Sequence, residues 1–332
     1  MSKVTLWAAR GEYLEHLKAQ GAAQSTIRNH AQVIDHAMNT WGDIDMRDIG
    51  PAEITTYFAR RSWSVSTTNL YLRCLRAFLA WCRSRQIMPI DVDPTAGWKS
   101  RKPDRRPRTW LTLDEMQQLL DAAWCPRDRA VIALGAFAML RGSETCALRV
   151  RDVDLEHGEL RIWRRKTRET DSMPICVELE DELWAWLAAY QAQCGRLDPD
   201  WLLVPARGPI PMTAEPGTGR LHPTGEPAPL KPLSPITKPH EVVRRAMRDI
   251  GLDRIGDGAH VLRRSSAQLL LEQLSTAGVP DPLRRVSSML GHRSVETTEI
   301  YLNVDNARRA RNELLRGHQM FTSDHSSQRR AA

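Results

Sequence analysis

One break in composition constrains this chain more than any other feature. Between Asp91 and Arg108 lie three prolines and the cations Lys99, Arg101, Lys102, Arg105, Arg106 and Arg108, with no apolar periodicity. Proline and like charge keep such a stretch extended. A chain of 332 residues is also longer than one hydrophobic core usually serves. Two bodies are therefore expected, joined by a basic linker over 91–108.

Before the break the pattern is helical. Leu6, Tyr13, Leu14 and Leu17 recur at helical spacing and stop at Gly21. A second helix is expected from Ser25 to Trp41, striped by Ile27, Val33, Ile34 and Met38. Pro51 opens a third, at a position where a missing N–H does no harm. Ser66 to Gln86 carries Leu70, Leu72, Leu75, Phe78, Leu79 and Trp81. Four helices with short connections predict a small bundle over 1–90.

After the break the periods mix. Thr112-Leu-Asp-Glu115 is a capping box that starts a helix, and a buried helix is expected from Arg129 to Leu140. Glu159–Arg164 and Ser172–Val177 read as strands joined by a cationic turn, followed by a helix from Asp181 to Cys194. The proline-rich stretch 205–239 is expected to be an irregular, mobile loop. Helical patterns resume at His240 and run to Arg316, and 317–332 is a polar tail expected to be disordered. The fold class expected is mainly α with a small β-sheet, the second body occupying 109–316.

Charge and cysteines narrow the function classes. Lys and Arg number 47 against 40 acidic residues, net +7, a balance that suits nucleic acid. The six cysteines form no CxxC pair and no zinc-ligand spacing, so reduced thiols and no bound metal are expected. The longest apolar run, Ala130 to Leu140, is far short of the ~20 residues that span a bilayer, and no signal-peptide core opens the chain. A soluble, cytoplasmic protein without a membrane partner is the expectation.

Four places in the second body concentrate ionisable groups. Arg141 ends an apolar helix with Glu144 three residues on, on the same face. The turn holds Arg164, Arg165, Lys166 and Arg168. His260 and Arg263 share a helical face. Leu290-Gly291-His292 precedes Glu296-Thr-Thr-Glu-Ile-Tyr301. Each alone has an ordinary explanation: an ion pair, a solvated turn, a surface pair, a core tyrosine. Together they are far more specific.

Met-Leu-Arg-Gly-Ser-Glu at 139–144, His-Val-Leu-Arg-Arg at 260–264 and Leu-Gly-His-Arg-Ser-Val-Glu-Thr-Thr-Glu-Ile-Tyr at 290–301 resemble the tyrosine recombinase, or phage integrase, family. The nine-residue step from His292 to Tyr301 is that family's usual spacing. The resemblance implies an N-terminal helical core-binding domain of SAM-like form, a basic linker and a mixed α/β catalytic domain. It implies that Arg141 and Arg263 bind phosphate, that Lys166 is the hairpin lysine, that His260 and His292 are the paired histidines, and that Tyr301 is the nucleophile. Glu144 matches an acidic position supporting the arginines. Lys99, Arg101, Lys102, Arg105, Arg106, Arg165 and Arg168 are the cations expected on the DNA backbone. The chain departs from the family at Ser265-Ser266, where a Thr-Phe pair is common, and in an apparent insert over 275–282. The bundle is expected to be the first domain, which points to a simple recombinase of Xer or Cre type.

The chemistry fits these roles. A phosphodiester under attack gathers negative charge that arginine forks match. A phenol, with an ordinary pKa near ~10, gains from a base, for which His260 is the candidate. The departing 5′ oxygen needs an acid, for which Lys166 is the candidate. A 3′-phosphotyrosyl bond would keep the bond energy, so neither ATP nor a metal or other cofactor is expected. The partners expected are double-stranded DNA recombination sites, a homo-tetramer on DNA (monomer or weak dimer when free), and an accessory directionality factor. Two alternatives share features: a type IB topoisomerase, and a DNA-binding protein without catalysis. The helical first body and the 292–301 phrase count against the former, and the complete catalytic set against the latter.

Overall fold

The computed structural model describes residues 3–59, 62–102, 110–164, 169–219, 221–224, 226–252 and 258–302. The chain divides into two compact units, Met1–Pro107 and Arg108–Ala332.

The first unit is four helices: α1 (Leu6–Ala19), α2 (Gln24–Trp41), α3 (Pro51–Ala59) and α4 (Val65–Ser84). Side-chain oxygens of Thr5 and Ser64 accept N–H groups at the starts of α1 and α4. The stripe of α4 (Leu72, Leu75, Phe78, Leu79, Cys82) is buried against Leu6 and Tyr13 of α1 and Val33 and Ile34 of α2. Residues 91–102 are not a free tether. Thr95 is fully buried, Trp98 packs on Phe58 with ring centroids 4.6 Å apart, and Arg76 donates to the carbonyls of Thr95 and Trp98. Asn69 holds the backbone of Arg101 through both its N–H (3.0 Å) and its carbonyl (2.6 Å). The first part of the expected linker is therefore packed on the first unit, because Trp98 seats its ring on Phe58 and two polar side chains of α4, Asn69 and Arg76, pair with its backbone. Residues 103–109, with Arg105, Arg106 and Arg108, lie outside the described residues.

The second unit contains α5 (Leu113–Asp121), α6 (Pro126–Ala136), α7 (Gly142–Thr145), β1 (Val153–Asp154), β2 (Glu159–Arg164), β3 (Glu169–Pro174), α8 (Val177–Cys194), β4 (Pro205–Arg207), β5 (Met212–Ala214), β6 (Leu221–Pro223), β7 (Leu230–Pro235), α9 (Pro239–Asp249), α10 (Ala259–Thr276), α11 (Pro282–Met289) and α12 (Val295–Leu302). The chain is mainly α, with an antiparallel three-stranded sheet in the order β1-β2-β3 and two-stranded ladders β4-β7 and β5-β6. Helix α6 is the buried axis: Ala130, Val131, Ile132, Ala133, Leu134 and Ala136 all have almost no exposure. Its Gly135 lets α10 come close, since a Cβ there would sit 3.0 Å from the Leu262 side chain.

Three boundaries differ from the sequence pattern. The buried helix ends at Ala136, not Leu140, because the chain turns at Met139 (φ +49°). The second strand runs Glu169–Pro174, so the apolar residues after Pro174 lead into α8 instead. The stretch 205–239 is not an irregular loop throughout. It holds β4 through β7, with Ile210 and Ala228 buried. Its prolines are tolerated because two-stranded ladders are all edge, and a proline carbonyl still accepts, as Pro232 does from Leu202 N–H (2.9 Å).

A charged cluster clamps this frame. Asp128, 1% exposed, accepts from Arg127 beside it, from Arg207 on β4 and from Arg245 on α9. Burial alone would raise the carboxyl's pKa, yet the three guanidiniums hold it below the usual carboxylate range. The six cysteines are all unpaired, and no helix among the described residues is long and apolar enough to cross a membrane.

Candidate active site

The turn after α6 delivers the first functional side chain. Arg141 is the residue before the single turn of α7, and Glu144 in that turn grips it twice. Glu144 Oε2 accepts the Arg141 N–H (2.8 Å) and Oε1 accepts from Arg141 Nη1 (2.7 Å). Burial pushes the Glu144 carboxyl up, but the Arg141 hydrogen bonds and the nearby Arg164 charge outweigh it, so its pKa is lowered. Arg141 remains 27% exposed, with guanidinium N–H groups left over for an anion.

Arg263, on α10, is only 1% exposed. Its Nη1 donates to the Met139 carbonyl, two residues before Arg141, and its Nη2 to the Leu290 carbonyl, two residues before His292. One guanidinium thus ties together the turns that present Arg141 and His292. Nη1 also lies 3.8 Å from Glu144 Oε2. Burial and the Arg141 charge pull the Arg263 pKa down to about 10, which still leaves it cationic at neutral pH.

His260 stands one helical turn before Arg263. Displacement of water from its ring, then the charges of Arg263, Arg141 and Arg264, hold its pKa below the ordinary 6.5. The imidazole is accordingly neutral at pH 7. Tyr301, near the end of α12, directs its hydroxyl to the His260 carbonyl (3.4 Å). The His292 ring meets the Tyr301 ring edge-on, with centroids 5.5 Å apart and planes at 84°. His292 Nδ1 is paired with the fully buried Thr298 hydroxyl at 2.9 Å, which fixes the ring's orientation.

The structure thus brings Arg141, Glu144, His260, Arg263, His292 and Tyr301 to one place. Lys166, Arg165 and Arg168 lie outside the described residues; their hairpin leaves β2 at Arg164 and returns on β3 at the paired Glu169. Lys99, Arg101 and Lys102 are exposed on the first unit. The unusual Ser265 is fully buried, where its hydroxyl accepts the Leu111 N–H at 2.8 Å, and Arg264 lies over the Trp110 ring. The segment 275–282, expected to be an insert, spans the last residues of α10, the turn after it and Pro282 at the start of α11.

Two residues here escaped the sequence analysis as site members. Thr298 gave no signal beyond its place in the Glu296-to-Tyr301 phrase. Arg164 did give one: alternation along β2 puts it in the buried row with Leu160 and Ile162.

These features define a class: a helical unit followed by a mainly α unit in which arginines, histidines and a helix-borne tyrosine converge. The lambda integrase tetramer bound to a Holliday junction is similar in fold, with a TM-score of 0.65 over 90% of this chain and 78% of that one at 19% identity. Tyrosine recombinase XerC of Thermodesulfovibrio yellowstonii is 25% identical over 307 residues, covering 88% of this chain and 90% of its own length. The putative integrase/recombinase y4rF of Sinorhizobium fredii is 28% identical over 70% of this chain, and the match spans about half (49%) of that protein's length. The model of the phage integrase family matches residues 109–308. This chain belongs to the phage integrase family.

Proposed function

We infer that the chain is a site-specific DNA recombinase that cleaves and rejoins strands through a phosphotyrosyl bond at Tyr301. The observation that carries the mechanism is the convergence of Tyr301, His260 and the cations Arg141 and Arg263 at one place in the second unit. Arg141, partly exposed, forks onto the nonbridging oxygens of the scissile phosphate. Arg263 adds charge at close range and fixes the turns bearing Arg141 and His292. His260 takes the phenolic proton as Tyr301 attacks phosphorus. His292, oriented by Thr298, donates to a nonbridging oxygen. Lys166 protonates the departing 5′ oxygen. The 3′-phosphotyrosyl bond forms as the P–O5′ bond breaks, and a 5′ hydroxyl from a second strand reverses the step, with no net hydrolysis and no call on ATP.

The first unit and the exposed Lys99, Arg101 and Lys102, together with Arg105, Arg106, Arg165 and Arg168, would bind backbone phosphates. Assembly on two sites as a tetramer, in parallel with the lambda integrase complex, an accessory directionality factor and residence in the cytoplasm belong to the same proposal.

The direct test is Tyr301→Phe. The variant should bind the DNA site as wild type does and form no denaturant-resistant protein–DNA adduct on a nicked duplex. An adduct that persists in the variant would take the nucleophile's role away from Tyr301.

A further inference from the structure

We propose that Arg164 is a positioning residue for strand cleavage, the common tie that sets Glu144 and the His292 turn in register. The inference rests on the recombinase reading given above. The β2 row that ends in Arg164 is otherwise apolar and fully buried, Leu160 and Ile162, and Arg164 itself is 4% exposed. A guanidinium in such a row needs specific partners, since an unpaired buried charge is costly.

Arg164 has partners on three elements. Its Nε donates to Asp171 Oδ2 on β3 (3.0 Å), its Nη1 to Glu144 Oε2 in α7 (3.2 Å), and its Nη2 to the Met289 carbonyl at the end of α11 (3.3 Å). Gly291 lies directly against the guanidinium: at φ +57°, a Cβ there would fall 3.0 Å from Arg164 Nε and 3.1 Å from Cζ. The Leu290-Gly291-His292 turn is therefore shaped around this side chain as well as by its own backbone.

Each contact leads to a residue of the site. The Glu144 oxygen that Arg164 holds also accepts the Arg141 N–H and faces Arg263 Nη1, while the other oxygen steers the Arg141 guanidinium. Met289 and Gly291 flank the carbonyl that accepts from Arg263 and lead directly to His292. Three divergent donors in one plane are what arginine offers and lysine lacks. Arg164 touches no reacting atom in this scheme. Its effect passes through the cations that meet the phosphate.

That route gives a signature that a purely structural role lacks. A methylphosphonate at the scissile position replaces one nonbridging oxygen with a methyl group and removes the charge that Arg141 and Arg263 neutralise. Single-turnover adduct formation by the full chain would be measured on nicked duplexes of both kinds, with melting temperatures in parallel. On the phosphodiester, Arg164→Met should be slower by on the order of 10²-fold, with Arg164→Lys between it and wild type. On the methylphosphonate the gap should close. Asp171→Asn, which loosens one partner of Arg164 without stranding a buried charge, should show the same substrate-dependent pattern more weakly. It decides the matter if Arg164→Met does not fold. Equal loss on both substrates, or no loss in Asp171→Asn and Arg164→Met alike, would overturn the proposal. A wild-type chain that forms no adduct on the phosphodiester would instead overturn the recombinase reading beneath it.

Discussion

At the scale of single residues, the candidate site places similar groups in different surroundings. Both Arg141 and Arg263 are cations beside Glu144, but the first is partly exposed and the second is buried with two carbonyls on its guanidinium. His260 and His292 differ in their neighbours: one stands on α10 amid arginine charge, the other is oriented by Thr298. The lowered pKa of His260 has a consequence for pH. Only neutral imidazole can accept the phenolic proton, and a pKa below 6.5 keeps it neutral as the pH falls past that value. Cleavage should hold through pH 6.5 and decline only at lower pH, as His260 takes up a proton. In a single-turnover pH profile the acid limb should have its midpoint below 6.5, and His260→Ala should lose that limb with about 10²–10⁴-fold of rate. A midpoint above 6.5 would assign the limb to another group. That Arg141, Glu144, His260, Arg263, His292 and Tyr301 belong together could be read from sequence because their phrases are short and keep fixed spacing. Arg164 was not assigned, since from sequence it is one of four cations around a turn, and only the pleat of β2 separates it from its exposed neighbours.

At the scale of elements, local chemistry was readable and long-range packing was not. The capping box at α5 forms as its residues predict: Thr112 Oγ1 accepts the Glu115 N–H (3.1 Å) and Glu115 Oε2 accepts the Thr112 N–H (2.8 Å). Thr112→Ala should therefore destabilise the chain by about 1 kcal/mol, read as a lower urea midpoint, while Thr112→Ser should be close to neutral. An unchanged midpoint in Thr112→Ala would mean that the cap adds nothing to the stability of its unit. By contrast, the early end of α6 comes from Arg263, distant in sequence, which holds the Met139 carbonyl. The ladders within 205–239 depend on partners such as Leu202 and Gln193, whose side chain donates to the Ala228 carbonyl at 2.7 Å. Composition reported only the prolines there. The segment 91–102 is a related case: its cations suggest a linker, and Trp98 and Thr95 pack its backbone against the first unit.

At the scale of the whole molecule, the chain divides into two compact units, each with its own core, and the boundary falls at the end of the basic stretch, after Pro107. The division suits a protein that must grip DNA and also act on one phosphate within it, because gripping asks for spread positive charge and chemistry asks for a fixed constellation. The net charge of +7 would suit the first need. Under the proposed mechanism the second unit would serve the other, with Arg263, Glu144 and Arg164 buried and Arg141 and Tyr301 more accessible. In the proposed mechanism this constellation makes Tyr301 the nucleophile and leaves it joined to the 3′ side of the break. Peptide mapping by mass spectrometry of the adduct trapped on a nicked duplex tests it most directly. The account predicts the peptide containing Tyr301, carrying a nucleotide through its 3′ phosphate, and a free 5′ hydroxyl on the released strand. A nucleotide on any other residue, or a 5′-phosphate linkage at Tyr301, would contradict it.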